Sequence, residues 1–583
     1  MSRDENGDGL YDDNRRQFLK AVGLGGLVGL AGCTGNEPGG TETPGGSGGG
    51  GGGDGGDGGD GGDGGDGGST DTEGDGGSSS EGRTFIKAKN QALTHLDPQA
   101  INDGTMIELG TVYDTLLDYA KEDPTTIQPM LATDWESVDG AQQWVLTLRE
   151  GVEFDDGTPF DAYAAMRSLQ RAKNLTAGQS KPYAWIESIE ESGDYEITIN
   201  AEGAYGPAPA QLTFVTTSIM NPTILDEHQD EENLGHEYFK TNVHGTGAFD
   251  FQEWDKGNRF VATLDEDNWR FDIDDPPANL VIPEKANITE FRGEIVREQL
   301  TQKQRVARGD IDVSRDINWT NTQEIVNNNE NVALYDGGPD LYAKYVFMMC
   351  QREPTSDVNF RKALAYAADY TGIAEELFGT GVPWGVPWPQ GIPFRVTDGQ
   401  YRQNVEKAKE FLEKSNYDGR ELKFRSIKGS TNDKVGSALV ANFEEIGVSM
   451  NHEDIPWSNL YEQLTSAETM PDLLMYSGWP DVADPDGPAV RYWSEYWPPD
   501  GWNTAYYANE EYDELYIQAR ESGDRQKRKE FYQRMQEILI DEVPIIWLYQ
   551  EKYQRAVNAN IPNYSYTPGD FNYVPAHQFT KNG

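Results

Sequence analysis

Residues 422–486 alternate between strand and helix patterns. Apolar and polar side chains alternate over Leu422–Ser426, which predicts a short strand. Apolar residues then recur at helical spacing over Val435–Ile446, and Gly447 stands where a helix usually ends. A second strand and a short helix are predicted next, and the continuous apolar run Leu473–Tyr476 is typical of a strand covered on both faces. The stretch therefore predicts a β-α-β-α-β unit with parallel strands.

The carboxyl ends of these predicted strands carry candidate binding residues. Ligands of open parallel sheets bind outside those ends. Lys428 follows the first strand, and Trp479, Asp481 and Asp484 follow the third. A cation, an aromatic ring and carboxylates would thus meet at one edge. On residue types alone an alternative stays open, because Asp-Pro-Asp-Gly is a common turn and Lys428 is compatible with an ordinary surface lysine.

Patterns elsewhere predict further elements of an α/β protein. Thr84–Ala88 has the pattern of a strand, Gln143–Arg149 alternates with one apolar face, and Asp161 is placed to cap a helix. Pro544–Tyr549 has the pattern of a buried strand. The part of the chain that follows Arg83 is too long for one hydrophobic core, so two or more lobes are expected.

The chain is strongly acidic along its whole length. Asp and Glu number 99 against 48 Lys and Arg, which gives a formal net charge of -51. Because aromatic residues are plentiful, the charge does not indicate disorder and instead suits a protein living in multimolar salt, where self-repulsion is screened within ~3 Å at 1 M. The same charge argues against nucleic acid as a partner, since that affinity comes from Lys and Arg.

The first 33 residues have the pattern of a processed export segment. Arg15 and Arg16 begin a motif that resembles the twin-arginine export signal, and the apolar stretch after it is too short to span a membrane. The four residues that end in Cys33 resemble a lipobox, in which this cysteine becomes lipidated. We expect 1–33 to be a signal peptide and 34–82 a disordered Gly/Asp-rich linker. The mature protein would be exported and lipid-anchored to the outer face of the cell membrane.

The sequence supports neither a metal site nor a catalytic centre. The six histidines show no metal spacing, and the chain contains no CxxC or HExxH motif. With Cys33 used for lipid, Cys350 has no disulfide partner, and its apolar neighbours predict a buried small hydrophobe rather than a nucleophile. We expect no cofactor and no metal.

Eight motifs follow one another along the folded part. They are Pro129–Ala165, His244–Phe249, Gln304–Asp312, Asp357–Asp369, Gly379–Pro383, Asn404–Leu412, Tyr507–Leu515 and Gln536–Tyr549. Their order resembles the signature of the extracellular solute-binding proteins of family 5, the oligopeptide, dipeptide and nickel receptors of ABC importers. The resemblance runs from Leu96 to Tyr549, and within it Ala248 replaces the usual proline.

The resemblance implies an α/β fold with two lobes. This is the periplasmic-binding-protein fold of type II, in the large cluster with an extra domain, where crossing strands join the lobes and the ligand is enclosed between them. On this basis we expect domain I at 83–115, 245–340 and 546–583, domain II at 116–244, and domain III at 341–545.

The resemblance also implies roles for residues at the predicted edge. In dipeptide receptors of the family, an aspartate after Gly-Trp pairs with the ligand's ammonium group, and an arginine on an earlier strand pairs with its carboxylate. Asp481 is the expected aspartate, Asp484 is the alternative, and Lys428 stands in place of the arginine. Lysine keeps the charge but lacks the bidentate fork. Further lining candidates, each also compatible with core packing, are Tyr113, Thr246, Trp384, Trp388, Tyr476, Trp479 and Trp493.

These observations predict a receptor rather than an enzyme. It would be a monomer that captures a small peptide-like solute and delivers it to ABC permease subunits. An oligosaccharide receptor, a nickel-chelate receptor and a sensory receptor remain alternatives on the same fold. An alternative of another class is an exported glycan hydrolase that uses Asp481 and Asp484 as its paired carboxylates.

Overall fold

A mixed sheet runs through the folded part of the chain. The computed structural model describes residues 82–100, 106–121, 123–176, 183–277, 279–428, 430–464, 466–478, 480, 482–499, 501–566 and 574–582. The strands are β1 (Arg83–Lys89), β2 (Leu117–Ala120), β3 (Asp123–Pro129), β4 (Ala132–Val138), β5 (Gln143–Leu148), β6 (Ile186–Gly193), β7 (Glu196–Ala201), β8 (Phe249–Asp255), β9 (Arg259–Leu264), β10 (Ile288–Ile295), β11 (Val313–Ser314), β12 (Val332–Met348), β13 (Val382–Pro383), β14 (Leu422–Ile427), β15 (Met450–Ile455), β16 (Leu473–Gly478) and β17 (Ile545–Asn558).

The chain also forms two smaller sheets, β2-β3 and β4-β5-β7-β6, and helices connect the strands. They are α1 (Ala162–Asn174), α2 (Ala208–Gln211), α3 (Pro222–His228), α4 (His236–Phe239), α5 (Gln299–Arg308), α6 (Trp319–Asn328), α7 (Val358–Ala367), α8 (Val405–Glu413), α9 (Ser430–Glu445), α10 (Trp457–Gln463), α11 (Asp486–Ala489), α12 (Glu510–Arg520) and α13 (Arg525–Glu542). Short 3-10 turns lie at Pro98–Ala100, Met106–Thr111, Val215–Thr217, Trp269–Asp272, Val490–Tyr492, Ser494–Tyr496 and Ala576–Gln578, and a π-helical turn at Gly372–Phe378.

The large sheet has two halves that share two long strands. Its order is β15-β14-β16-β12-β17-β11-β1-β10-β9-β8, with β13 paired to β17. Three strands at one end, β15, β14 and β16, are parallel, and so are β11, β1 and β10 in the other half. Between the halves run the antiparallel strands β12 and β17. These two strands therefore cross from one half of the fold to the other.

The predicted β-α-β-α-β unit is confirmed. It consists of β14, α9, β15, α10 and β16, and its strands pair in parallel as expected. The first four residues of β16 are buried, which agrees with a strand covered on both faces. Gly447 closes the end of α9 with φ of +95°, a conformation that side chains with a Cβ rarely adopt.

Separate hydrophobic cores lie on the two sides of the crossing strands. The largest core draws its buried residues from positions 341–549, with Tyr119 joining it. Further cores use residues between 85 and 335 together with 553–579, and a small cluster packs Val482 against Ala210 and Phe214. We call the described residues from 82 to 335 and from 553 to 582 the first lobe, and those from 341 to 549 the second lobe. The finer domain boundaries stay a prediction.

Local predictions in the first lobe are also confirmed. Alternate residues of β5 are buried, beginning with Trp144. The Asp161 side chain accepts a hydrogen bond of 2.9 Å from the Ala164 N–H and caps α1.

One expectation needs a correction, because Cys350 in the second lobe is only half-buried. Its surroundings still raise the pKa of its thiol to about 11 by desolvation, which disfavours a nucleophilic thiolate.

Candidate functional site

The carboxyl edge of the second lobe presents Lys428. This residue follows β14, is exposed, and donates its backbone N–H to the Ile455 carbonyl oxygen at 2.7 Å. The bond ties the ends of β14 and β15 together, while β16 ends beside them at Gly478. Trp479 and Asp481 lie outside the described residues, so their roles stay predictions.

A second set of parallel strand ends lies on the first lobe. β1, β10 and β11 end at Lys89, Ile295 and Ser314. Outside these ends is a cleft of about 500 Å³, a volume within the range of small-ligand sites. The cleft is lined by Lys89, Asn90, Gln91, Arg297, Arg315 and Asp316. This polar lining suits a small, polar solute.

Strand register shows that the two edges face each other. On the first lobe Val313 of β11 pairs with Val557 of β17, which places Arg315 level with Arg555. On the second lobe Gly478 of β16 pairs with Ala343 of β12, which in turn pairs with Gln550. The five steps from 550 to 555 correspond to about 17 Å of strand at about 3.4 Å per residue. The middle of β12 and β17 therefore forms the floor of a cleft between the lobes.

The floor carries two groups of opposite charge, the buried Lys344 and the half-buried Glu551. Lys344 donates from Nζ to Asn432 Oδ1 at 2.6 Å, which links β12 to the first turn of α9. Burial lowers the pKa of Lys344, while the negative charge of Glu551 opposes that shift. Burial likewise raises the pKa of Glu551, and the positive charge of Lys344 opposes it. Each of the two groups thus favours the charged form of the other.

Tyr342 connects the floor to both edges. It shares a face of β12 with Lys344, because alternate residues of a strand point the same way. Burial, with the charge of Glu551, raises the pKa of Tyr342 to about 12, and Ser477 and Arg315 act in the opposite direction. Ser477 belongs to β16 and Arg315 follows β11. Groups from both lobes therefore act on one side chain at the floor.

The lobes are in contact beside this cleft. The Ala483 N–H donates to the Tyr119 hydroxyl oxygen at 3.0 Å. The Gly206 N–H donates to the Arg520 carbonyl oxygen at 2.8 Å, and the Arg520 guanidinium lies 5.2 Å from the centre of the Tyr205 ring. The two lobes therefore touch each other in this structure.

Asp484, the alternative ligand anchor, is used inside the second lobe. Its Oδ1 accepts a hydrogen bond of 2.6 Å from Arg528 Nη2, and both side chains are nearly buried. Neighbouring Asp486 lies 3.9 Å from Arg520 Nε, and burial raises the pKa of Asp486. Paired in this way, Asp484 is not free to bind a ligand ammonium group or to act as the acid or base of a hydrolase.

The other predicted lining residues are closed to a ligand in this conformation. The Tyr113 hydroxyl accepts from the His244 N–H at 3.3 Å, and Thr246 donates to Asp114 Oδ2 at 2.9 Å. Tyr476 stacks on Phe347 with ring centres 4.5 Å apart. All three residues are at most 3% exposed. Tyr113 and Thr246 lie in the first lobe away from the floor, and Tyr476 lies two residues before the end of β16 with its ring buried.

The predicted tryptophans also pack in the second-lobe core. Trp388 is fully buried, and its ring meets Tyr532 edge-on at 5.3 Å. Its carbonyl oxygen accepts a hydrogen bond of 2.8 Å from Trp384 Nε1. Trp384 and Trp493 are buried as well. All three tryptophans pack in the core, which is the alternative that the sequence left open.

Sequence reasoning missed the first-lobe edge and the floor. The rule that places ligands at carboxyl ends of parallel strands applies equally to β1, β10 and β11. Applied there, it would have found Arg297 and Arg315. Lys344 offered another signal, because it is a single cation directly before the apolar run Tyr345–Cys350. A charged residue in such a run is expected to have a partner.

One polar cluster of the second lobe resembles part of a catalytic triad. Ser426 Oγ lies 2.9 Å from His452 Nε2, and Asp454 Oδ1 lies 3.5 Å from the same nitrogen. In a triad the acid orients the histidine through the ring nitrogen that does not face the serine. Since Nε2 faces both groups here, Asp454 is not placed for that role.

The described part of the chain holds neither a membrane-spanning helix nor a metal-binding cluster. Within it, no helix combines the length and the apolar character needed to cross a bilayer. Nor do these described residues contain a group of three or more His, Cys, Asp or Glu side chains that could hold a metal ion.

The comparison with known families decides the relationship. The profile of the bacterial extracellular solute-binding proteins, family 5 middle, matches residues 126–499. The chain belongs to this family. The resemblance noted from the eight motifs is thus confirmed, and so is the prediction of a solute-binding protein.

Individual relatives and solved structures are similar to this chain over most of its length. The probable D,D-dipeptide-binding periplasmic protein DdpA of Escherichia coli is 25% identical over 489 residues, which cover 81% of this chain and 90% of DdpA. The periplasmic binding protein DppA from Helicobacter pylori, solved with the peptide STSA, has 21% identity and a TM-score of 0.66, and the likeness covers 86% of this chain and 98% of that one. NikZ from Campylobacter jejuni, solved with Ni(L-His), has 18% identity and a TM-score of 0.67, with 85% and 99% covered.

These likenesses confirm the predicted fold class. The solute-binding protein has the two-lobed α/β fold of the type II periplasmic binding proteins. Its homologues are solute-binding proteins of transport systems rather than enzymes. Within that fold, the facing edges and the polar floor place the candidate site between the lobes.

Proposed function

We propose that this chain is the receptor of an ABC importer and that its solute is peptide-like. Family membership supports the proposal, as do relatives whose names or bound ligands are D,D-dipeptides and the peptide STSA. The observation that carries it is the pair of parallel-strand edges facing each other across β12 and β17. Such an arrangement encloses a solute and releases it when the lobes separate.

The second-lobe edge supplies groups for the two ends of a peptide. Asp481 pairs with the α-ammonium group, and Lys428 supplies positive charge for a carboxylate. The strand ends of the two lobes lie about 17 Å apart along the floor, and di- to pentapeptides are the size class that we expect to fit between them. Lysine in place of arginine makes the carboxylate contact a single point charge rather than a bidentate pair.

Isothermal titration calorimetry of the purified chain in multimolar KCl tests the solute class. The panel contains di- to pentapeptides, cello- and malto-oligosaccharides, and Ni(L-His). We expect at least one peptide to bind, and Asp481→Asn to weaken that binding by about tenfold or more, since a charge-assisted contact is lost. Asp230→Asn, which changes an exposed aspartate of the first lobe, serves as the matched control. Binding of the sugars or of the nickel chelate alone would overturn the peptide assignment.

We further propose that the protein is exported and held at the membrane by a lipid on Cys33. Arg15, Arg16 and Cys33 lie outside the described residues, and the support is the order of twin arginines, apolar stretch and lipobox in the sequence. The lipid would place the receptor beside its permease. Cys33→Ala is expected to move the protein from the membrane fraction to the medium, whereas Cys350→Ala should leave it in place. Membrane retention of Cys33→Ala would contradict the anchor.

A further inference from the structure

Four asparagines of the chain begin the tripeptide Asn-x-Ser/Thr. They are Asn174, Asn287, Asn318 and Asn563, and in none of the four tripeptides is the middle residue a proline. In exported proteins this tripeptide accepts an N-linked glycan when it lies in a surface loop. A motif this short also arises by chance, so the sequence does not choose among the four. The fold applies two criteria: the acceptor amide must be exposed, and it must not already hold segments of the fold together.

Asn287 and Asn563 hold the C-terminal segment in place. Asn287 Nδ2 donates to the Lys581 carbonyl oxygen at 3.0 Å, and its Oδ1 accepts the Lys581 N–H at 2.8 Å. Asn563 Nδ2 donates to the Gln578 carbonyl oxygen at 2.8 Å, and its Oδ1 accepts the Thr580 N–H at 2.9 Å. Both asparagines are half-buried. A sugar on either nitrogen would have to fit between segments that these bonds hold together, which excludes both positions.

Asn318 is exposed but belongs to the start of a helix. Its Oδ1 accepts the Asn321 N–H at 2.9 Å and caps α6. Its Nδ2 donates to Gln299 Oε1 at 2.8 Å. The two residues that complete the tripeptide, Trp319 and Thr320, lie in the first turn of α6. The tripeptide is therefore part of a helix rather than of a loop, and its amide is already used.

Asn174 satisfies both criteria. It is the last residue of α1 and is exposed, and within the described part of the chain its side chain makes no hydrogen bond. Leu175 leaves the helix with an extended backbone, φ of -64° and ψ of 124°, and its side chain is fully buried. Thr176 is exposed, and its hydroxyl donates to Asn233 Oδ1 on a neighbouring loop. The middle residue thus anchors the tripeptide, while the amide and the hydroxyl that the motif requires lie at the surface.

The segment around Asn174 packs within the first lobe. Lys173 donates from Nζ to the Glu187 carbonyl oxygen of β6 at 2.7 Å. Arg171 donates from Nε to the Leu234 carbonyl oxygen, in the loop before α4, at 2.9 Å. None of these residues belongs to the floor, to the strand ends or to the lobe contacts described above. A glycan on Asn174 would therefore leave the solute site and its lobe contacts in place.

We propose that Asn174 carries an N-linked glycan, transferred from a lipid-linked oligosaccharide phosphate. The inference rests on the proposed export of the chain and goes beyond its proposed transport function. In the transfer, Asn174 Nδ2 forms a bond to C1 of the first sugar, and the bond between C1 and the phosphate oxygen of the donor breaks. The lipid phosphate is the leaving group, and the amide gives one proton to a base of the external transferase. No group is oxidised or reduced.

Mass spectrometry of the protein from its own cells tests the site. The full chain and its variants are produced in the cells that naturally make the protein, purified and digested. The peptide that contains Asn174 is then weighed before and after chemical deglycosylation. We expect added sugar mass on this peptide in the unaltered chain and in Thr176→Ser, which keeps the hydroxyl, and none in Asn174→Gln or Thr176→Ala. Asn318→Gln, which changes an exposed asparagine of another tripeptide, is the matched control and should leave the sugar in place.

The outcomes separate this inference from the proposed function. An unmodified Asn174 in protein recovered from the outer face of the membrane would overturn the site while the exported receptor stands. An unmodified chain that is retained inside the cell would overturn both the site and the proposed export. Sugar on Asn287 or Asn563 in place of Asn174 would refute the selection by exposure and hydrogen bonding on which the inference depends.

Discussion

Single buried charges join distant segments of this protein. Arg171 of α1 donates to both carboxylate oxygens of Asp97, at 3.1 and 2.6 Å, and His236 Nδ1 lies 2.8 Å from the same group. Burial alone would raise the pKa of Asp97, but the hydrogen bond from His236 and the charge of Arg171 lower it to about 2. A bidentate pair of this kind fixes how α1 sits against the start of the folded chain.

Asp97→Asn is expected to destabilise the protein by about 3–5 kcal/mol at pH 7, because it leaves the Arg171 charge buried without a partner. Since the folded-state pKa of Asp97 is below its unfolded value, this contribution is present above about pH 4 and is lost as pH falls towards 2. Denaturant unfolding of both proteins at a series of pH values measures it.

The control for Asp97→Asn is a variant that breaks an exposed ion pair of the same lobe. Asp310→Asn removes the partner of Arg308, and both side chains are largely exposed. We expect a change below about 1 kcal/mol. A loss at Asp97 as small as that at Asp310, or one that persists unchanged at pH 2, would contradict the account of the buried pair.

At the scale of elements, glycines allow two segments of the first lobe to touch. The motif His244–Phe249 runs against Val112, and the Gly247 N–H donates to the Val112 carbonyl oxygen at 3.1 Å. A Cβ on Gly247 would lie 2.4 Å from the Val112 carbonyl carbon, and one on Gly245 would lie 2.1 Å from its oxygen. Because these neighbours are backbone atoms, they cannot rotate away.

Gly247→Ala should therefore destabilise the first lobe by about 1–3 kcal/mol or more, the usual cost of overpacking. Gly193→Ala, at the end of β6, is the matched control, since its Cβ would make an ordinary contact of 3.5 Å. Thermal unfolding followed by circular dichroism compares the two. Equal Tm values for both variants would show that the segments are less tightly apposed than described.

At the scale of the whole molecule, binding depends on how the lobes meet. Gly206 of the first lobe lies so close to the second that a Cβ would be 2.2 Å from the Ser522 carbonyl oxygen. Gly203 is three residues away, and a Cβ there would have nothing within 4 Å. The two glycines thus differ in whether a methyl group obstructs closure, although both lie in the same segment.

Gly206→Ala is expected to weaken solute binding by about tenfold or more, because the closed state is disfavoured while each lobe keeps its own core. Gly203→Ala should bind as the unaltered chain does. The measurement is calorimetric affinity for whichever panel member binds, with circular dichroism confirming that both variants are folded. Unchanged affinity in Gly206→Ala would show that binding does not require this contact.

The charge of the whole chain predicts a dependence on salt. With a formal net charge of -51, self-repulsion reaches further at low salt, where the screening length grows from about 3 Å at 1 M to about 10 Å at 0.1 M. Tm should therefore fall steadily as KCl is removed. Sucrose, which is neutral, should not replace KCl in this effect. A Tm that is constant or higher at low salt would argue against adaptation to multimolar salt.

Motifs and periodicity determined much about this protein without a structure. The β-α-β-α-β unit, the caps at Asp161 and Gly447 and the strand after Pro544 follow from local spacing, because capping and amphipathic patterns depend on near neighbours in the chain. The order of eight motifs led to the family for the same reason. Lys428 was also placed correctly at a strand end, since the end of a strand is a local property.

Tertiary structure alone decided which side chains meet. Whether Trp388 or Tyr476 faces a cleft or a core depends on lobes that are distant in sequence, and both are buried here. Asp484 pairs with Arg528, which is 44 residues away in the chain, because a buried carboxylate needs a partner. The floor of the cleft, with Lys344 and Glu551, exists only where β12 and β17 cross. The residues that bind a solute are therefore set by long-range register, which no local pattern contains.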